Sequence, residues 1–189
     1  MVRDLLLKNR SYRRFHQEVV IGAEVLRELI DLTRLSASAR NAQPLKYMLS
    51  CEPEKNAAIF KTLAWAGYLK GWSGPVEGER PSAYIVILGD TDVSPTFGCD
   101  HGIAVQSMLL GAVERGFGGC MIGSIQRPAL KELLHIPANF EILLVLALGK
   151  PKETVVLDAV GPDGDIKYWR DEVQVHHVPK RALDEIILD

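Results

Sequence analysis

The sequence predicts a single domain of mixed helices and strands, and three observations carry that reading. Two apolar runs of strand length, Ala83 to Gly89 and Phe140 to Gly149, read as central strands. Between them, Asp100 to Arg115 carries Ile103, Ala104, Val105, Met108, Leu109, Leu110, Ala112 and Val113 around most of a helical circumference. Such a helix must be covered on nearly all sides, by its own domain or by a second subunit. Third, Leu45, Tyr47, Leu49 and Cys51 alternate with Lys46, Met48 and Ser50, the period of a strand, and Pro44 suits its first position.

The remaining elements follow from local signals. Val25, Leu26, Leu29, Ile30 and Leu32 recur at helical spacing between Ile21 and about Ala37. Glu54 to Leu69 reads as a helix, broken by Gly71-Trp72-Ser73-Gly74-Pro75 and a loop to Pro81. Arg127-Pro128 opens a short helix through Leu134, because proline lacks only an N–H that the first turn leaves unpaired anyway. After Pro151 periodicity is lost, so residues 151–189 read as an extended C-terminal arm, with a short strand expected at Ile186-Ile187. No repeat or linker divides residues 1–189, which are expected to form one domain.

Composition narrows the function classes. With 47% hydrophobic residues in 189 and a net charge of -2, the chain can bury a proper core and lacks the basic stripe of a nucleic-acid binder. No apolar run approaches membrane-spanning length and Met1-Val2-Arg3-Asp4 does not open a signal peptide, so a cytoplasmic protein without a membrane partner is expected. Cys51, Cys99 and Cys120, widely spaced with no C-x-x-C, are expected to be buried free thiols rather than disulfide or metal ligands. Adjacent His176 and His177 cannot face one metal as an i, i+4 pair does, and read as arm residues. Asp100 reads as a first-turn partner of the helix dipole, and Cys120 as a small buried hydrophobe.

Two basic clusters lie at opposite ends of the chain, Arg10-Ser11-Tyr12-Arg13-Arg14-Phe15 and Lys180-Arg181. A phosphate needs converging cationic forks and hydroxyl donors, and the two clusters look like halves of one anion site. Between them, Ser38-Ala39-Arg40-Asn41-Ala42-Gln43-Pro44 packs hydroxyl, amide and guanidinium donors into a turn, although a plain helix C-terminus also accounts for it. Gly116-Phe117-Gly118-Gly119-Cys120-Met121-Ile122-Gly123-Ser124 has four glycines that permit close backbone approach to a flat or anionic ligand. It is no dinucleotide fingerprint, because it follows a helix and leads into a strand.

Taken in order, Arg-Ser-x-Arg-x-Phe, Ser-x-x-Asn-x-Gln-Pro, Gly-x-Gly-x-Cys-x-x-Gly and the C-terminal basic pair resemble the FMN-dependent nitroreductase family, from about Asn9 to Leu188. The resemblance implies an α+β fold, a central mostly antiparallel sheet wrapped by helices, and an intertwined homodimer with two FMN sites built from both subunits. It implies that Arg10, Ser11, Lys180 and Arg181 hold the FMN phosphate and that Arg13 reaches the pyrimidine side of the ring. Ser38, Ala39, Arg40, Asn41 and Gln43 would approach the flavin largely from the partner chain, and Met121, Ile122, Gly123 and Ser124 would lie against the ring. FMN would carry the chemistry, with no catalytic side chain, taking hydride from NADH or NADPH and passing electrons to a nitroaromatic, quinone or similar small-molecule acceptor. Alternatives are a specialised member acting on flavin, halogenated or enoyl substrates, and a non-catalytic flavin-binding dimer. The chain departs from the family pattern at Asn9, where arginine is common, and at Leu45 and Met121, where tryptophan is frequent. Trp65, Tyr68 and Trp72 are expected either to shape a substrate channel or to pack in the core.

Overall fold

The structure, a computed structural model, describes residues 1–188. In chain order it contains α1 (Val2–Lys8), β1 (Phe15–His16), α2 (Ala23–Arg34), β2 (Leu45–Ser50), α3 (Pro53–Phe60), β3 (Ala83–Asp90), α4 (Asp100–Glu114), β4 (Gly118–Ile122), α5 (Arg127–Leu133), β5 (Phe140–Pro151), β6 (Val155–Ala159), β7 (Trp169–Arg170) and β8 (His176–Lys180). The main sheet runs β1-β5-β3-β2, with β4 also on β5, and every pair in it is antiparallel. The expected α+β architecture with a mostly antiparallel sheet is therefore present.

Alternation along the strands makes two cores, one on each face. From β3, Tyr84, Val86 and Leu88 join Ile59 of α3 and Leu130 of α5. Ala83, Ile85 and Ile87 join Leu26 and Leu29 of α2 and Val105, Met108 and Ala112 of α4 on the opposite face. In β5 the parity reverses. Ile142 lies on the α3/α5 face with Val145 and Ala147, because the pairing jumps from Ile87↔Leu144 to Leu88↔Ile142 and leaves Leu143 as a bulge. The all-round apolar helix is covered on much of its circumference within the chain. Its Gly111 lets α2 approach so closely that a Cβ there would stand 2.3 Å from Leu32.

Three expectations are corrected. The helix proposed from Glu54 to Leu69 ends at Phe60, because Ala64 N–H donates to the Ser124 carbonyl and Gln126 N–H to that of Thr62, extending the chain beside the end of β4. The segment after Pro151 is not a bare arm. It folds into a second, three-stranded sheet, β6-β8-β7, in which β6 and β8 run parallel. The strand expected at Ile186-Ile187 is absent, since a short 3-10 turn at Leu183–Glu185 leads into two exposed residues with nothing to pair against. No described helix is long and apolar enough to cross a membrane.

Candidate functional site

The N-terminal basic segment is laid against β4 by backbone bonds. Ser11 bridges Gly119, and Tyr12 N–H donates to the Gly119 carbonyl at 3.0 Å. The C-terminal sheet is drawn to the same place by Glu153, whose buried carboxylate accepts from the backbone N–H groups of Arg13 and Arg14 and from Arg170 Nη2 at 2.9 Å. Burying that carboxylate is tolerable because a charge and two amides satisfy it.

These contacts enclose a groove of two joined hollows. The larger, about 740 Å³ with its open mouth, is lined by Arg10, Ser11, Arg13, Gln106, His176 and Lys180, among others. Its lining holds three cations and no carboxylate. The smaller, about 450 Å³, is lined by Trp65, Gly67, Met121, Ile122, Gly123 and Ser124, among others, and shares Arg13, Met121 and Tyr168 with the first. The trough formed by these adjacent hollows thus has a cationic end and an end lined by Met121–Ser124.

The sequence-read residues divide clearly. Arg10, Ser11, Arg13, Lys180, Met121, Ile122, Gly123 and Ser124 all line the groove, whereas Arg181 lies outside its lining and pairs with Glu185 at 3.4 Å. Arg14 is structural, forming a bidentate pair with Glu79 at 2.6 and 2.7 Å. Ser38, Asn41 and Gln43 line a separate hollow between α2, β2 and α4, and neither Ala39 nor Arg40 reaches the groove of the same chain. Their turn is held by Asp100, which accepts from Ser38 Oγ at 2.6 Å and Ala39 N–H at 3.0 Å. Asp100 therefore clamps this turn in addition to opening α4. Arg40, Asn41 and Gln43 all have left-handed backbones (φ 54°, 53° and 50°), a costly conformation for residues with a Cβ.

Only one of the four glycines faces the groove with room to spare. A Cβ on Gly123 would meet nothing nearer than 3.9 Å, whereas on Gly118 it would strike Tyr12 at 2.5 Å and on Gly119 the Ala147 carbonyl at 2.5 Å. Gly118 and Gly119 are thus packing glycines, and Gly116 serves a turn with φ +75°. Cys120 is buried as expected, and burial pushes its thiol pKa up. Cys99 is exposed, contrary to expectation, because it precedes α4 at the surface.

Sequence reasoning missed Gln106, Tyr168 and His176. Gln106, a polar residue in an otherwise apolar helix, was the available signal. Tyr168 lies under the Arg13 guanidinium, 4.7 Å from ring centroid, and packs against Tyr68 and His176. His176 is fully buried, and Arg13 Nη1 lies 3.3 Å from its Nε2. A guanidinium can only donate, so Nε2 accepts and the proton sits on Nδ1, which is buried without a partner. Burial and the Arg13 and Arg170 cations push the His176 pKa down to about 4. Its neighbour His177 faces the other way, between Asp158 (2.8 Å) and Asp171 (3.5 Å), and its pKa is raised by those bonds.

A sheet of this order with helices on both faces defines an α+β protein, and the groove between the chain's two ends is lined by cations. Residues 83–150, spanning β3 to β5, match the model of the nitroreductase family. An Archaeoglobus fulgidus protein, whose name assigns it as an NADH dehydrogenase/NAD(P)H nitroreductase, is 26% identical over 156 residues, covering 78% of this chain and 84% of the relative. A nitroreductase family protein from Streptococcus pneumoniae TIGR4 superposes over 100% of both chains with a TM-score of 0.74 at 18% identity. Another from Clostridium novyi NT gives a TM-score of 0.66 at 25% identity over 80% of this chain and 87% of its own. The fold is the nitroreductase fold, and the family resemblance read from the sequence holds.

Proposed function

We propose that the chain is an FMN-dependent oxidoreductase that takes hydride from NADH or NADPH and delivers reducing equivalents to a nitroaromatic, quinone or related acceptor by a ping-pong mechanism. The observation that carries this reading is the groove, whose three-cation, carboxylate-free hollow adjoins the one lined by Met121–Ser124 across the shared residues Arg13, Met121 and Tyr168.

The residues present fit such a group. Arg10 Nε and His176 Nδ1 are buried donors without partners, and the side-chain space above Gly123 is open. Arg10, Ser11 and Lys180 would hold the phosphate, with Arg181 at the margin, and Met121, Ile122, Gly123 and Ser124 would hold the ring. When bound, FMN supplies a two-electron carrier, which no side chain in the groove can replace. Arg13 contributes a fixed positive charge beside it. Because His176 is neutral at pH 7, it orients that guanidinium without competing for the same anion. Tyr168, with Tyr68 packed against it, walls the trough and limits the water that reaches it.

The Ser38–Gln43 turn belongs, in this reading, to the groove of a second copy of the chain, making the working unit a homodimer. Chromatography of the cofactor released on denaturation tests the assignment. FMN, bleached by NAD(P)H in the intact protein, is the expected result; FAD, or no affinity for added FMN, would overturn it.

A further inference from the structure

On the face of the sheet covered by α3 lies a second cavity, about 580 Å³ with its mouth, that shares no lining residue with the groove. Its floor is Tyr84 of β3, fully buried, and its walls include Arg80, Ser82, Asn56 and Phe60. Three of its lining residues carry a polar atom without a partner. These atoms are Tyr84 Oη, Ser82 Oγ and Arg80 Nε, each buried. Leaving one such group unpaired costs about 1–3 kcal/mol, so three around one cavity constitute an unmet demand for an acceptor.

The surrounding bonds keep these donors from satisfying themselves. Asn56 is spent at both ends, accepting from Ser50 Oγ at 2.7 Å and donating to the Ser82 carbonyl at 2.8 Å. The Arg80 guanidinium is fixed over the Phe60 ring (4.4 Å) and by Glu77 on Nη1 (2.6 Å), which leaves Nε directed elsewhere. Gln17 staples the wall by accepting from the Gly78 and Arg80 N–H groups. Burial raises the Tyr84 phenol pKa well above its ordinary value, so it remains a neutral donor.

Two hydroxyl donors and a guanidinium N–H, set in walls of Val20, Pro53, Ala57 and Phe60, suit a carboxylate head on a small apolar body, the one carboxylate of the lining, Glu77, being already paired with Arg80 Nη1. We propose that this cavity is a binding site for a small monocarboxylate, with Tyr84, Ser82 and Arg80 as its headgroup ligands. The proposal is independent of the reading of the groove.

Fluorine NMR with 4-fluorobenzoate as the probe tests it on the FMN-loaded protein. The expected result is a Kd of about 1 mM or tighter. Tyr84→Phe, which keeps the ring and the core volume, should weaken binding about tenfold, as should Arg80→Gln, while Ser82→Ala should weaken it less. Neutral 4-fluorobenzamide should bind much more weakly. Absence of binding, or an affinity untouched by both Tyr84→Phe and Arg80→Gln, would overturn the proposal. A normal thermal transition in Tyr84→Phe keeps loss of binding distinct from loss of fold.

Discussion

The groove and the Ser38–Gln43 turn carry residues read from the sequence as parts of one site, yet they are built on opposite principles. The groove is assembled from α4, β4, the Arg10–Arg13 segment and the β6-β8-β7 sheet, and apart from Ala66 (φ 41°) its non-glycine lining residues sit in relaxed backbones joined by long-range bonds. The turn is local: Asp100 accepts from Ser38 and Ala39, and its three left-handed residues are held by bonds within the turn, Gln43 N–H to Ser38 Oγ at 2.9 Å among them. A site made in cis can rely on its own contacts. In the proposed dimer the turn would serve another chain, and a segment used so must hold its shape before that chain arrives, which strain locked beside a buried carboxylate achieves.

The sharpest way to break this comparison is to strip the groove of charge. Arg10→Ala with Lys180→Ala should weaken FMN binding about a hundredfold or more by equilibrium dialysis, since each removes a charge-assisted contact of about 1.5–3 kcal/mol. An unchanged affinity would move the phosphate elsewhere. The next largest effect concerns the turn. If Asn41 serves the partner's groove and Arg13 its own, inactive Asn41 and Arg13 variants mixed under refolding conditions should recover part of the activity, because both lesions fall in one site of the mixed dimer and the other stays intact. No recovery in a verified heterodimer would place Asn41 in cis or outside the site.

The smallest effect is on acid stability. His176 has a folded pKa of about 4 against 6.5 for a free histidine, so the unfolded chain takes up its proton first and stability falls as pH drops from 6.5 through about 4. Glu79, held at about 2 by its bonds to Arg14 and Lys152, contributes stability above about 4.5 that is lost as pH falls through 2. Hydrogen exchange in the higher window should therefore quicken at Ser11–Arg14 before it does at Ala39–Gln43. His176→Gln should flatten that dependence, by about 1–2 kcal/mol over the window.

What the sequence made legible was what hydrophobic periodicity encodes. β2, β3, β5 and α4 lie within a residue or so of their expected bounds, because each must present a continuous apolar face. The second sheet escaped because its strands are short and their pairing depends on remote partners. The His176 N–H donates to the Thr154 carbonyl, and Arg170 reaches Glu153, contacts that leave no period in the local sequence. The groove was half legible for the same reason. Clustered arginines and glycines announce themselves, whereas Tyr168 and His176 acquire their place only when the segment after Pro151 folds back. The glycines also misled in part, since Gly118 and Gly119 answer to Tyr12 and β5 rather than to a ligand.

Glu153 sets the order in which the groove can come into being. Its carboxylate binds Arg13 and Arg14 from 140 and 139 residues away, and the same contact anchors the strands that bring Lys180 to Arg10. During synthesis the main sheet can pair as soon as β5 emerges, while the trough stays an open half-shell until residue 180 has left the ribosome and closed the longest loop in the molecule, a step whose entropy cost rises only slowly with loop length. Completion of the cationic hollow is thus a late event laid over a finished scaffold, and the seam at Glu153 is where the molecule can come apart at the site while its sheet remains whole.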